Sequence, residues 1–229
     1  MTLPLLLSVP HAGVVIPAAV QNICVLRENE IIEDGDEGAS EVYLPLHDEV
    51  FALVTTVVAR AILDMNRAED DRGKDGVVKT HTCWDVQIYR EPPSEVIITE
   101  LLGAFYKPYH ASLANHATHV KCGIDCHTMA AQGPPVGPDT GMERPAICIS
   151  NADFTCPKEW MTALADCLKR VFEKNVSINR PFKGGFIIRS HAKELPWIQV
   201  ELSRAPFFSN EEKSFRMLEA LKDWCRKTL

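Results

Sequence analysis

The sequence predicts an α/β domain organised around an open sheet. Nearly continuous apolar runs of strand length, at residues 3–9, 122–129 and 196–204, end in polar or histidine-bearing edges, as strands buried on both faces do. Amphipathic segments of helical period follow, at residues 158–174 and 210–229. The 229 residues suffice for one large core, so a single domain spanning 1–229 is expected.

Hydrophobic residues at 46% and charged residues at 24% place the chain among ordinary globular proteins. A formal charge of −7 with no basic stripe argues against nucleic acid as a partner. No apolar run reaches the roughly 18 residues of a membrane span, so no membrane partner is expected. The eight cysteines are scattered, and the N-terminal apolar run lacks a basic flank and breaks at Pro10. Reduced thiols in a cytoplasmic protein fit that pattern, and no second cysteine pair stands at zinc-ribbon spacing to join Cys122 and Cys126. Nothing in the sequence fixes an oligomeric state.

Taken in order, Leu3–Val9 reads as a central strand that delivers His11 onto the tight loop Pro10-His-Ala-Gly13. A short helix is expected at 17–22. Residues 30–41 carry six acids, which suits a solvated loop or helix start, yet Asp34 and Asp36 flanking Gly35 can also present a carboxylate to a metal. The β-branched stretch 51–64 predicts one or two strands leading to Asn66 and Arg67, whose guanidinium suits a bidentate clamp on a carboxylate. From Ser94, a cap residue, a helix with Val96, Ile97, Leu101, Leu102 and Phe105 as its apolar face is expected, running on with a kink at Pro108. His110, His116 and His119 are expected on its solvated side.

Cys122–Met129 is the stretch on which the reading centres. Asp125 and His127 share one face at the strand's C-terminal edge, the edge where open α/β sheets bind ligands. Residues 132–144, dense in Pro and Gly, read as a functional loop or lid. A strand at 146–149 and the helix at 158–174 follow. Gly184-Gly185 permits close backbone approach, and residues 186–188 read as a strand ending at Arg189. In the strand 196–204, Glu201 interrupts apolar neighbours and needs either an arginine such as Arg204 or Arg189, or a catalytic role. The last helix is expected to bury Phe215, Leu218, Leu221 and Trp224.

Collected, His11, an acid of the Asp34/Asp36 pair, His127 and Glu201 are the parts of a mononuclear zinc hydrolase: two imidazoles and a carboxylate on the metal, and a further carboxylate as proton acceptor. No compact signature such as HExxH is present.

The sequence resembles the N-formylglutamate amidohydrolase (N-formylglutamate deformylase) family. The resemblance rests on Ser8-Val-Pro-His-Ala-Gly, Asp34-Gly-Asp-Glu-Gly-Ala-Ser-Glu-Val-Tyr, Leu63-Asp-Met-Asn-Arg, Tyr89-Arg90, Tyr106-Lys-Pro-Tyr-His, Asp125-Cys-His-Thr-Met, Phe182-Lys-Gly-Gly-Phe-Ile-Ile-Arg and Gln199-Val-Glu-Leu, in order over about the first 205 residues. It implies a zinc-peptidase-like (phosphorylase/hydrolase-like) three-layer α/β/α sandwich with a mixed sheet, cleaving the amide of an N-acyl amino acid. Carried over by position, His11 and His127 are Zn2+ ligands and Glu201 the general base. Asn66 and Arg67 hold the substrate carboxylate, and Arg67, Arg144 or Arg189 binds carboxylates and the oxyanion. The chain departs from the wider zinc-peptidase pattern at Val14, where His-x-x-Glu would need an acid, so the acidic ligand comes from elsewhere, with Asp36 preferred. The loop 132–144 also departs from the deformylase pattern. Two other readings stand beside this one: a zinc amidohydrolase or carboxypeptidase for another N-acyl amino acid or a cell-wall peptide, and a non-catalytic binding protein on the same fold.

Overall fold

A computed structural model describes residues 2–136 and 139–229. Residues 137 and 138, inside the expected lid, lie outside the described residues. In chain order the elements are β1 (Leu3–Val9), α1 (Ala18–Gln21), α2 (Glu28–Asp34), α3 (Ala39–Tyr43), β2 (Val50–Thr55), α4 (Glu95–Leu101), α5 (Lys107–Ala117) and β3 (Cys122–Met129). They continue with β4 (Ile147–Ser150), α6 (Lys158–Phe172), β5 (Val176–Ile178), α7 (Phe186–Ser190), β6 (Trp197–Ser203) and α8 (Asn210–Thr228). The strands form a mixed sheet in the order β2-β1-β3-β6-β4-β5, in which only the β4–β6 pair is antiparallel.

Because side chains alternate along a strand, each central strand supplies both faces of the sheet. Leu5, Leu7, Val9, Cys122, Ile124, Cys126, Ile198, Val200 and Leu202 pack with α3, α6 and α8. Leu6 and Trp197 face the other way, into a second core with residues of α4, α5, α7 and the 58–65 segment. The polar residues share that second face. Ser8 pairs in register with Asp125, Asp125 with Gln199, and His127 with Glu201, which sets two polar rows across the C-terminal edge of β1, β3 and β6.

Several expectations are corrected. Residues 186–188 are helical rather than a strand: the slots beside β6 are taken by β3 and β4, and Ile187 donates its backbone N–H to Asn66 Oδ1 at 2.8 Å, the kind of group a helix start leaves free. The stretch 51–64 holds one strand, β2, followed by turns, within the one or two strands expected. The three-residue β5 is too short to show a period in the sequence. Ser94 does cap α4, accepting from the Ile97 N–H, but Val96 is 77% exposed while Ile98, Leu101, Leu102 and Tyr106 are buried. The irregularity in this long helical stretch is a π-turn at Leu102–Tyr106 rather than a kink at Pro108, which sits harmlessly in the first turn of α5. In α8, Phe215 is 60% exposed, and Met217, Ala220, Leu221, Trp224 and Cys225 form the buried face.

His110 is not solvated either. Its Nε2 donates to Met65 O at 3.0 Å, its Nδ1 lies 2.9 Å from His191 Nε2 in a stacked pair, and His191 Nδ1 lies 2.7 Å from Glu194 Oε2. Burial first, and then the neighbouring His191, lower its pKa from 6.5 to about 4. Between those values the unfolded chain takes up a proton that the folded chain refuses, so this contribution is complete above pH 6.5 and is lost as the pH falls towards 4. From pH 7 to pH 5 wild type is expected to lose about 2 kcal/mol more than His110→Gln, read from urea midpoints at the two pH values.

Gly123 sits where the rings of Trp197 cross β3, and a Cβ there would lie 2.4 Å from Trp197 Cδ2. Trp197 is fully buried and has no room to yield. Gly123→Ala is expected to destabilise the fold by about 1–3 kcal/mol in urea unfolding, the usual cost of overpacking.

Candidate active site and metal centre

His11 leaves β1 on the Pro10–Gly13 loop, and His127 stands near the end of the adjacent β3, so the two rings meet with centroids 4.9 Å apart. Asp36 reaches them from the α2–α3 connection. Its Oδ2 lies 3.0 Å from His127 Nδ1 and 3.5 Å from His11 Nδ1. One ligand atom from each of the three residues falls within 4.8 Å of the others, and all three side chains are buried. The ring nitrogens facing away are both anchored. His11 Nε2 donates to Asp64 Oδ1 at 2.8 Å, and His127 Nε2 donates to Asp125 Oδ2 at 2.9 Å. Such carboxylate–histidine pairs fix the tautomer and turn the opposite nitrogen towards a metal.

The electrostatics ask for positive charge at this point. Burial opposes ionisation of Asp36, yet His11 and His127 hold it well below the usual carboxylate range. Burial likewise opposes a charge on His127, but Asp125, Glu201 and Asp36 together lift its pKa well above the ordinary histidine value. Asp64 also overcomes its burial, through His11, Arg67 and Arg60, and stays well below the usual range. Two imidazoles and one carboxylate form a donor set that fits Zn2+, and the surplus of buried carboxylates supplies the matching field.

Asp34, the other acid open to selection, is fully buried but turned elsewhere. It pairs with Lys79 Nζ at 2.9 and 3.0 Å and accepts the Cys83 N–H at 2.6 Å.

Glu201 lies across from His127 in the β3–β6 register and opens into the same pocket, of about 320 Å³. Neither Arg204 nor Arg189 is its partner. Gln199 Nε2 donates to Glu201 Oε1 at 2.7 Å, while Gln199 Oε1 accepts the Gly185 N–H at 2.6 Å. Burial raises the Glu201 pKa, and the Asp36 and Asp125 charges add to this against the pull of His127. Asn66 lies 3.4 Å from His127 through its Nδ2. A Cβ on Gly185 would come within 2.2 Å of that Nδ2, so only glycine allows this approach.

Arg67 and Arg144 both line the pocket, each already paired with an acid: Arg67 Nη2 with Asp75 Oδ2 at 2.5 Å, and Arg144 with Asp139 at 2.7 and 2.8 Å. Arg189 is exposed, donates to Gly184 O and is not part of the lining. Arg60, Lys183 and Arg204 also line the pocket and were not singled out from the sequence as substrate contacts. Arg60 followed a strand-like run with no polar pattern, Lys183 was visible only as part of the Phe182-Lys-Gly-Gly motif, and Arg204 was read only as a partner for Glu201. Asp64 is not evident as a support because its partner His11 lies 53 residues away, and Gln199 because nothing in its apolar strand marks its carboxamide as the partner of Glu201.

Asp36→Asn is expected to abolish tight Zn2+ binding in equilibrium dialysis. Asp34→Asn is expected to retain it and instead to lower stability by about 1–3 kcal/mol, because the buried Lys79 then keeps Asp75 as its carboxylate partner but loses Asp34.

Residues 3–207 match the family described as N-formylglutamate amidohydrolase. The chain is 24% identical over 226 residues to an N-formylglutamate deformylase of Pseudomonas putida, covering 92% of this chain and 84% of that protein. It is 23% identical over 228 residues to an N-formylglutamate deformylase of Pseudomonas aeruginosa, covering 91% and 83%. In three dimensions it is similar to the crystal structure of N-formylglutamate amidohydrolase from Ralstonia eutropha JMP134, with a TM-score of 0.78, 18% identity and coverage of 99% and 93%, a likeness of fold. With a match over residues 3–207, the chain belongs to the N-formylglutamate amidohydrolase family.

Proposed function

We propose that this chain is a Zn2+-dependent amidohydrolase that cleaves the formyl amide of N-formylglutamate to glutamate and formate. The family match and the curated relatives named N-formylglutamate deformylase support the reaction class. The observation that carries the reading is the placement of Glu201 opposite His127, beside the His11/Asp36/His127 donor set and in one pocket with several cations. When bound there, Zn2+ supplies a Lewis acid that polarises the substrate carbonyl and acidifies water.

The residues of the chain do the rest. Glu201, with its pKa raised by burial, accepts the proton of the attacking water and returns it to the amide nitrogen as the C–N bond breaks. Gln199 holds one Glu201 oxygen and leaves the other free for that transfer. Arg67, Asn66 and Arg144 receive the amino-acid carboxylate. Lys183, which has no acid partner among the described residues, takes over from Arg189 as the candidate for the side-chain carboxylate. A pocket of about 320 Å³ suits a small amino-acid derivative rather than a folded peptide. Among the described residues no helix is long and apolar enough to cross a membrane. A cytoplasmic location is part of the proposal, and the eight free thiols are in keeping with it.

The test is zinc content together with formate release from N-formylglutamate, with N-acetylglutamate and N-formylnorvaline as comparison substrates. Stoichiometric zinc with preferential turnover of N-formylglutamate is expected. A metal-free, inactive protein overturns the proposal. Glu201→Gln is expected to keep zinc and lose about 10²–10⁴-fold in kcat, the range of general acid–base catalysis.

A further inference from the structure

The motif Tyr106-Lys-Pro-Tyr-His touches none of the pocket, yet three of its side chains reach the frame of the site. Tyr109 OH lies 2.8 Å from Ser8 Oγ, and Ser8 Oγ donates to Asp125 Oδ1 at 2.8 Å. Serine has a single proton, and Asp125 accepts it, so the Tyr109 hydroxyl must be the donor to Ser8. The chain of bonds is therefore directed: Tyr109 to Ser8, Ser8 to Asp125 Oδ1, and His127 Nε2 to Asp125 Oδ2. With both oxygens of Asp125 held, its carboxylate plane is fixed and His127 keeps Nδ1 facing Asp36.

One helical turn away, Tyr106 OH donates to Arg67 O at 2.7 Å, and His110 Nε2 donates to Met65 O at 3.0 Å. These two carbonyls flank Asn66, so the same segment clamps the strip that carries the proposed substrate contacts. The π-turn at Leu102–Tyr106 immediately precedes it and shifts the helical register.

The two histidine anchors are supported differently. Asp64 is flanked by Arg60 Nε at 3.2 Å and Arg67 Nη1 at 3.9 Å and accepts the Asn66 N–H, whereas among the described residues Asp125 has the neutral Ser8–Tyr109 chain and no cation behind it. A carboxylate without a cation behind it keeps more of its charge for the imidazole in front.

We propose that residues 106–110 are a positioning element, in which Tyr109, acting through Ser8 and Asp125, sets His127 for metal binding, while Tyr106 and His110 set Asn66 and Arg67 for the substrate. This rests on the zinc amidohydrolase reading. It is tested by competing Zn2+ against a chromophoric chelator and by measuring kcat and KM for N-formylglutamate in wild type, Tyr109→Phe, Ser8→Ala, the double variant and Tyr106→Phe. Tyr109→Phe and Ser8→Ala are each expected to weaken Zn2+ binding about 10–100-fold, and the double variant no further, because both break one chain. Tyr106→Phe is expected to raise KM about tenfold with unchanged Zn2+ affinity. Wild-type Zn2+ affinity in both Tyr109→Phe and Ser8→Ala, or fully additive losses in the double variant, overturns the inference. A wild type that binds no Zn2+ and releases no formate fails the underlying reading instead.

Discussion

Four carboxylates, those of Asp36, Asp64, Asp125 and Glu201, are buried side by side at one sheet edge, and most of the surrounding structure answers that constraint. Unpaired, each would cost several kcal/mol to desolvate. The protein spreads the compensation. Arg60 and Arg67 serve Asp64, a hydroxyl and an imidazole serve Asp125, a carboxamide serves Glu201, and two imidazoles serve Asp36. Arg204 adds a more distant charge, 3.6 Å from Asp36 Oδ1. On the proposed reading, a divalent cation held by His11, Asp36 and His127 would complete the balance, and affinity for the metal and stability of the fold would then draw on the same interactions.

The sheet makes this arrangement possible through parity. Ser8, Asp125 and Gln199 form one row and His127 and Glu201 the next, all on the face towards α5 and α7, while the intervening residues are apolar and seal the opposite core. A slip of one residue in β3 would turn Asp125 and His127 into the α6–α8 core and leave Ile124 and Cys126 at the site. The register is held by close contacts such as that of Gly123 with Trp197, so the packing of the core also fixes the spacing of the reacting groups. This is why a glycine with no chemistry of its own belongs to the argument about the site.

The same parity explains what the sequence made legible. Leu3–Val9, Cys122–Met129 and Trp197–Ser203 were readable because long apolar runs carried their few polar residues at even spacing, and those residues are the ones at the edge. His127 and Glu201 are visible for that reason, and His11 because the apolar run of β1 ends on the Pro10–Gly13 loop; the structure brings all three together with Asp36. The choice of Asp36 over Asp34 was not legible, because it depends on Lys79 and Cys83 capturing Asp34 from 45 and 49 residues away. Residues 186–188 are ambiguous in the sequence because three apolar residues have no period; the helix is seen in the bond from His191 N–H to Ile187 O, and its start is met by Asn66, 121 residues away from Ile187. His110 was taken for a solvated residue because its partners, Met65 and His191, lie 45 and 81 residues distant.

The cations of the pocket bear on selectivity as much as on affinity. If Arg67 and Arg144 receive the substrate carboxylate as proposed, they would do so while already paired with Asp75 and Asp139. An incoming monoanion there would meet cations whose charge is already compensated, so its net electrostatic gain would be smaller than at an unpaired cation. A second carboxylate that reaches Lys183 meets a cation with no internal competitor among the described residues, so its contribution is not offset in the same way. On the proposed reading, the pocket would therefore gain more from the second negative charge of a dicarboxylic substrate than from the first. Discrimination of that sign follows from which cations the fold has already paired, and it does not require a tighter fit around the side chain.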